Sequence, residues 1–171
     1  MWSCPGFNKI FIMVRPKRGK QIEERLKVLF ASPAFDRVKK RDPDFDSWIG
    51  NRLVPVAGDI VAPKFGLNPE DHRMVIEETN IIINNAASVN FTDRLDIAIK
   101  INTLGPLNMI NLAHDVKNLE IATHVSTAYV NCNRGAGFVE EKIYDVEELM
   151  DMDVPMFIEK ILRMSPEEIK S

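Results

Sequence analysis

A chain of 171 residues, 45% hydrophobic and 27% charged, is long enough for one ordinary domain that buries roughly two thirds of the surface its unfolded form exposes. With 22 Lys and Arg against 25 Asp and Glu, the net charge of −3 offers neither nucleic acid nor an anionic membrane a dominant basic field. The longest apolar runs, such as Ile81-Ile82-Ile83, are far too short to span a bilayer, and the start lacks the basic region and apolar core of a signal peptide.

Residues 9–14 (KIFIMV) form a short β-branched run closed by Arg15-Pro16, the composition of a strand buried on both faces in a parallel sheet. Residues 21–30 place Ile22, Leu26, Leu29 and Phe30 at helical spacing. The polar, proline-punctuated stretch 32–46 reads as a loop with a helical turn, and 53–56 (LVPV) as a second strand with a bulge possible at its proline. Asn68-Pro69-Glu70-Asp71 predicts an N-cap, a proline at the first helical position and early acids that suit the helix dipole, in a helix reaching about Glu78. Residues 80–83 (NIII) are a third buried strand. A long helix follows over 93–116, with Leu95, Ile99, Leu104, Leu107, Ile110 and Leu112 as its buried face, and 119–125 is the fourth strand. Strands this uniformly apolar, alternating with helices, indicate a parallel α/β sheet. Beyond Asn133 come a Gly135-Ala136-Gly137 turn and an acidic tail, helical in pieces broken at Pro155 and Pro166. Cys4 and Cys132 lack disulfide or metal spacing and read as free thiols in a reducing compartment.

In a doubly wound sheet, ligands collect beyond the carboxyl ends of the strands. After the first strand stand Arg15, Lys17, Arg18 and Lys20; this is either a solvated basic loop or a site for a ribose 2′-phosphate, which a guanidinium grips through charge-assisted bonds. The second strand is followed by Gly58-Asp59-Ile60, either a plain turn or an acceptor for an adenine amino group. Asn84-Asn85-Ala86-Ala87-Ser88 follows the third strand, where small residues permit close approach of a ligand. The fourth ends in Ser126 and Thr127, hydroxyls suited to a carbonyl.

The stretches IFIMVRPKRGK, VPVAGDI, INNAASVNF, IKINTLGPLNMINLA and HVSTAYVNCNRG, in this order over roughly residues 7–145, resemble the fatty acyl-CoA reductases, a branch of the extended short-chain dehydrogenase/reductases. The resemblance implies NADPH as cofactor and a long-chain fatty acyl-CoA as substrate, reduced to a primary alcohol. By the same resemblance Arg15 binds the 2′-phosphate with Lys17 nearby, and Asp59 and Ile60 contact adenine. Ala86 and Ala87 line the pyrophosphate and nicotinamide side, Asn102 sits in the helix behind the cofactor, and Thr127, or Ser126, orients the substrate carbonyl. Where the family usually has His-Cys before the paired alanines, this chain has Asn84-Asn85.

Two family features are absent from the sequence. The glycines at 6, 19, 50, 58, 66, 105, 135 and 137 form no G-x-G-x-x-G loop. Nor is there a Tyr-x-x-x-Lys pair, since Asn133 stands four residues after Tyr129 and Glu148 four after Tyr144; an ammonium in that place lowers the tyrosine pKa for protonating an alkoxide. The expected fold is therefore a partial Rossmann-like, doubly wound parallel sheet with its first strand missing, over residues 1–145, and a helical tail over 146–171 that leads towards absent catalytic and substrate-binding parts. In sheet order 3-2-1-4-5-6 that strand is central, so its two neighbours are left with apolar, unpaired edges. These features imply an inactive fragment of an intracellular reductase. The alternative is a non-catalytic binding or regulatory partner of an intact one, held through that exposed edge.

Overall fold

Short β-branched runs become strands and periodic segments become helices in the computed structural model, which describes residues 6–16, 21–132, 134–144 and 153–170. In chain order the elements are β1 (Ile10–Val14), α1 (Ile22–Phe30), α2 (Asp36–Arg41), α3 (Phe45–Arg52), β2 (Leu53–Ala57), α4 (Pro69–Glu78) and β3 (Ile81–Asn84). After these come α5 (Leu95–Ile99), α6 (Gly105–Asp115), β4 (Ile121–His124) and α7 (Val154–Arg163), with short 3-10 turns between some of them. β1 pairs with β2 in parallel from Ile10↔Leu53 to Val14↔Ala57. β3 pairs with β4 in parallel from Ile81↔Ile121 to Asn84↔His124.

These pairs are two separate two-stranded ladders, and β1 and β3 share no hydrogen bonds. That is the pattern a doubly wound sheet leaves when nothing occupies the place between the strands flanking its centre. One core still serves both ladders. Val56, Ile60, Phe65, Val75, Met109 and Leu112 are buried together, with Phe11 and Met13 of β1 and Ile82 of β3 packed against them. The register runs straight through Ile12↔Pro55 with no bulge; β2 is an edge strand of its ladder, where proline's missing donor costs no ladder bond.

Several expectations change. β3 and β4 do not have the buried character expected of them: β3 is covered only on the face that carries Ile82 and Asn84, and all of β4 is exposed, because α4 and α6 pack on one face of β3 alone. The stretch 32–46 is more helical than a loop with one turn. Ser32 Oγ accepts from the Ala34 N–H, Pro33 opens a 3-10 turn, and α2 and the start of α3 follow. Phe30, Phe35 and Phe45 give this polar segment an apolar anchor, with ring centroids 5.1 to 6.2 Å apart and Phe45 4% exposed.

The helix expected over 93–116 starts at Leu95 and is not uniform: a π turn, Lys100–Leu104, joins α5 to α6. Pro106 lies just beyond it. Proline cannot donate to the carbonyl four residues back and its ring collides with it, and a wider turn relieves the conflict. In the tail, Pro155 opens α7 instead of breaking it, behind an Asp153 cap whose carboxylate accepts from the Met156 N–H at 3.0 Å. The α4 cap is as predicted: Asn68 Oδ1 accepts from the Asp71 N–H at 2.8 Å, with Pro69 at the first helical position. Among the described residues no helix is long and apolar enough to cross a membrane.

Candidate functional site at the strand ends

Within each ladder the strands are parallel and in register, so their carboxyl ends lie side by side. At the β1–β2 ends, Arg15 Nε stands 3.8 Å from Asp59 Oδ2, and the Arg15 side chain is 69% exposed. An ion pair this open contributes little to stability, and most of the guanidinium's donors stay available to an anion. The Arg15 carbonyl in turn accepts from Arg25 of α1. Lys17 lies outside the described residues.

Asp59 is fixed by an unusual turn. Gly58 N–H donates to the Val14 carbonyl at 3.2 Å and Asp59 N–H to the Phe65 carbonyl at 2.8 Å. A Cβ on Gly58 would stand 2.9 Å from the Met13 side chain and 3.0 Å from the Phe65 carbonyl, so glycine is required for this close approach. Lys64 and Phe65 both adopt left-handed backbone, with φ of 48° and 57°, which costs about 1–2 kcal/mol per non-glycine residue. Burial of the Phe65 ring at 7% exposure offsets it, at about 1.5–3 kcal/mol for a phenylalanine. The Ile60 side chain is also in the core, 8% exposed, and its carbonyl accepts from Asn108 Nδ2 at 2.9 Å. Its side chain therefore does not reach outward to an adenine; only its backbone could meet one.

At the β3–β4 ends, exposed Ala86 and Ala87 follow buried Asn84. Asn84 Oδ1 accepts from the Ala86 N–H at 3.2 Å, while Nδ2 lies 3.2 Å from Nδ1 of His124, its register partner. Asn102, on the π turn, holds the other side of this loop. Its Oδ1 accepts from the Ser88 N–H at 2.8 Å and its Nδ2 donates to the Ser88 carbonyl at 3.1 Å. Asn102 thus acts on the backbone of the loop, fixing where Ala87 can lie. Farther along, Ser88 and Asn90 both bond Asp93. The Arg94 guanidinium then bridges both Asp96 oxygens at 2.7 and 3.0 Å, and this hydrogen bonding holds the Asp96 carboxyl down at about 2.

Ser126 and Thr127 are exposed just past β4. Thr127 Oγ1 accepts from the Tyr129 N–H at 3.2 Å, which leaves the hydroxyl hydrogen free to donate. Tyr129 also meets Phe91 edge-on, ring centroids 6.3 Å apart, so the loops after β3 and β4 touch.

The structure thus joins Arg15 to Asp59, Asn102 to the Ala86-Ala87-Ser88 loop, and that loop through Phe91 to the turn that begins at Thr127. It brings none of these into direct contact across the two ladders. The polar pair of Asn84 and His124 was missed. Its signal lay in the Asn84-Asn85 departure from the family pattern and in a cross-strand register that no local window displays. Clefts of ≈ 360 Å³ on α7 and ≈ 390 Å³ beside α6 are lined by none of the candidate residues. Among the described residues no cluster of His, Cys, Asp and Glu could hold a metal ion.

The NAD-binding family described as Male sterility protein matches residues 1–169. The chain is 35% identical over 153 residues to fatty acyl-CoA reductase 1 of Mus musculus, covering 87% of this chain and 28% of that protein; it spans little more than a quarter of such relatives. Two solved reductase domains share its fold. One is the terminal R domain of the myxalamid PKS-NRPS pathway, with TM-score 0.56, 22% identity and coverage of 90% of this chain and 38% of that one. The other is an archaeal non-ribosomal peptide synthetase thiolation-reductase di-domain, with TM-score 0.52, 24% identity and coverage of 75% and 31%.

Proposed function

We propose that this chain, which belongs to the NAD-binding family described as Male sterility protein, supplies cofactor- and carbonyl-facing residues for NADPH-dependent reduction of a long-chain fatty acyl-CoA to a primary alcohol. The observation that carries the reading is the Arg15–Asp59 pair just beyond the parallel ends of β1 and β2, with small residues and hydroxyls at the ends of β3 and β4. The donor set fits a phosphorylated dinucleotide. Arg15 is open enough to grip a 2′-phosphate, Asp59 is anchored to accept from an adenine amine, and Ala86 and Ala87 are small and exposed at the end of the other ladder.

When bound, the nicotinamide supplies the hydride. Thr127, its oxygen already accepting from Tyr129 N–H, donates its hydroxyl hydrogen to the thioester carbonyl and orients it; Ser126 is the second hydroxyl there. Neither tyrosine of the sequence has a lysine four residues on, so the acid that protonates the product alkoxide is not among these residues, and the 171 residues alone do not turn over. The protein acts inside the cell, where NADPH and acyl-CoA are found.

Affinity measurements with the chain and its Arg15→Ala variant test this. NADPH binds more tightly than NADH, and Arg15→Ala weakens NADPH about 10- to 100-fold, as loss of a charge-assisted bond does, with NADH nearly unchanged. Equal loss for both dinucleotides would overturn the assignment. The unpaired edges of β1 and β3 favour a second reading, a non-catalytic partner held by an intact reductase; it predicts co-purification with that reductase and is excluded if none is retained.

A further inference from the structure

The Asn84–His124 pair lies at the register where the β3–β4 ladder ends and the Ala86-Ala87 loop begins. The orientation of the Asn84 amide is fixed by its surroundings. Ala86 N–H is a donor, so the atom facing it at 3.2 Å is Oδ1, and Nδ2 is left pointing at His124 Nδ1 across 3.2 Å. Nδ2 can only donate. His124 Nδ1 must then be bare, and the neutral ring carries its proton on Nε2.

We propose that Asn84 and His124 form a proton-operated latch that positions the Ala86-Ala87 loop. With His124 neutral, one amide side chain holds both the neighbouring strand and the loop. When Nδ1 takes up a proton, two donors face each other and the bond is lost. The amide can meet the new Nδ1–H only by turning Oδ1 towards it, and Nδ2 then faces the Ala86 N–H. With the amide turned over, the Ala86 end of the loop is released. Its Ser88 end stays fixed, because Asn102 holds it through backbone bonds that contain no titrating group.

Among the described residues no ion pair reaches His124. On α4 and α6, which flank β3, His72 faces Asp115 at 3.9 Å, Glu77 pairs with Lys117 at 3.0 Å and Glu78 pairs with Lys9. Glu70, Asp71 and Arg73 of α4 and His114 of α6 form no ion pair with His124. Asn84, 6% exposed, is therefore a positioning residue working through Ala86. Only the effect of the latch on a bound dinucleotide rests on the proposed function; the latch itself does not.

Nuclear magnetic resonance of the isotopically labelled full chain, with no ligand present, tests it between about pH 8 and about pH 5, the window in which imidazoles titrate. At high pH the ring proton of His124 is on Nε2. On acidification the Ala86 amide shifts in step with the ring and exchanges about fivefold faster, the effect of one lost hydrogen bond, while Ser88 stays put. In His124→Gln, an exposed position, the Ala86 amide no longer titrates. A neutral His124 with its proton on Nδ1, or an Ala86 amide that does not follow the ring, overturns the latch and leaves the proposed function untouched.

Discussion

Gly105→Ala tests the packing between α6 and the turn after β2. Gly105 is buried within helical backbone, φ −56° and ψ −54°, so alanine is conformationally welcome there and gains about 0.8–1 kcal/mol of helix propensity. The added Cβ, however, would stand 2.8 Å from Ile60 Cγ1 and 3.0 Å from Cδ1. Ile60 has little room to retreat, since its carbonyl is bonded by Asn108 and its side chain lies in the core. Overpacking of this kind costs about 1–3 kcal/mol. The net loss is about 1 kcal/mol, or roughly 2–4 °C in Tm for a chain of this size. Ile60→Ala removes all the colliding atoms at a cost of about 2–5 kcal/mol. In that background Gly105→Ala should change sign and stabilise by about 1 kcal/mol, giving a coupling of about 2 kcal/mol in the double-mutant cycle. Urea unfolding of the four proteins measures it. If Gly105→Ala destabilised both backgrounds equally, the close approach to Ile60 would not be why glycine is needed.

Asn102→Ala removes both bonds to Ser88, about 0.5–1 kcal/mol each at this exposed site; the Ser88 amide should lose hydrogen-exchange protection while the β3–β4 ladder keeps its own, and unchanged Ser88 protection would refute the role. The Asp96 carboxyl is held near 2, below its ordinary 3.8, so its ion pair with Arg94 adds stability above about pH 4 that is lost as the pH falls through about 2. Arg94→Met should therefore unfold more easily than the wild type near neutrality and equally easily at about pH 2, as denaturant midpoints across that range will tell.

The parts of the fold legible in the sequence are those written in local chemistry. Asn68 and Pro69 announce α4, and apolar runs bounded by Arg15-Pro16 and Asn80 announce β1 and β3. Less legible is whatever depends on partners far along the chain. Phe30 and Phe45 make the polar stretch 32–46 helical only because they meet in space. Left-handed backbone at Lys64 and Phe65 has no glycine to advertise it. Pro106 stands just past the π turn, yet apolar periodicity alone predicts an unbroken helix over 93–116. Of the candidate site, the positions of Arg15, Asp59, Ala86, Ala87, Ser126 and Thr127 at strand ends follow from strand periodicity. The inward turn of Ile60, and the roles of Asn84 and Asn102, follow from contacts that join residues 14 to 45 apart.

The π turn between α5 and α6 also sets an angle. A turn that holds roughly one residue more than an ordinary helical turn rotates everything after it by about 100° relative to an unbroken helix. Asp96 and Ile99 before it, and Met109 and Leu112 after it, are all buried. Deleting a single residue between 100 and 104 would straighten the rod and swing one end against the other. A single residue of length in this turn thus sets how the two helical segments are rotated relative to one another.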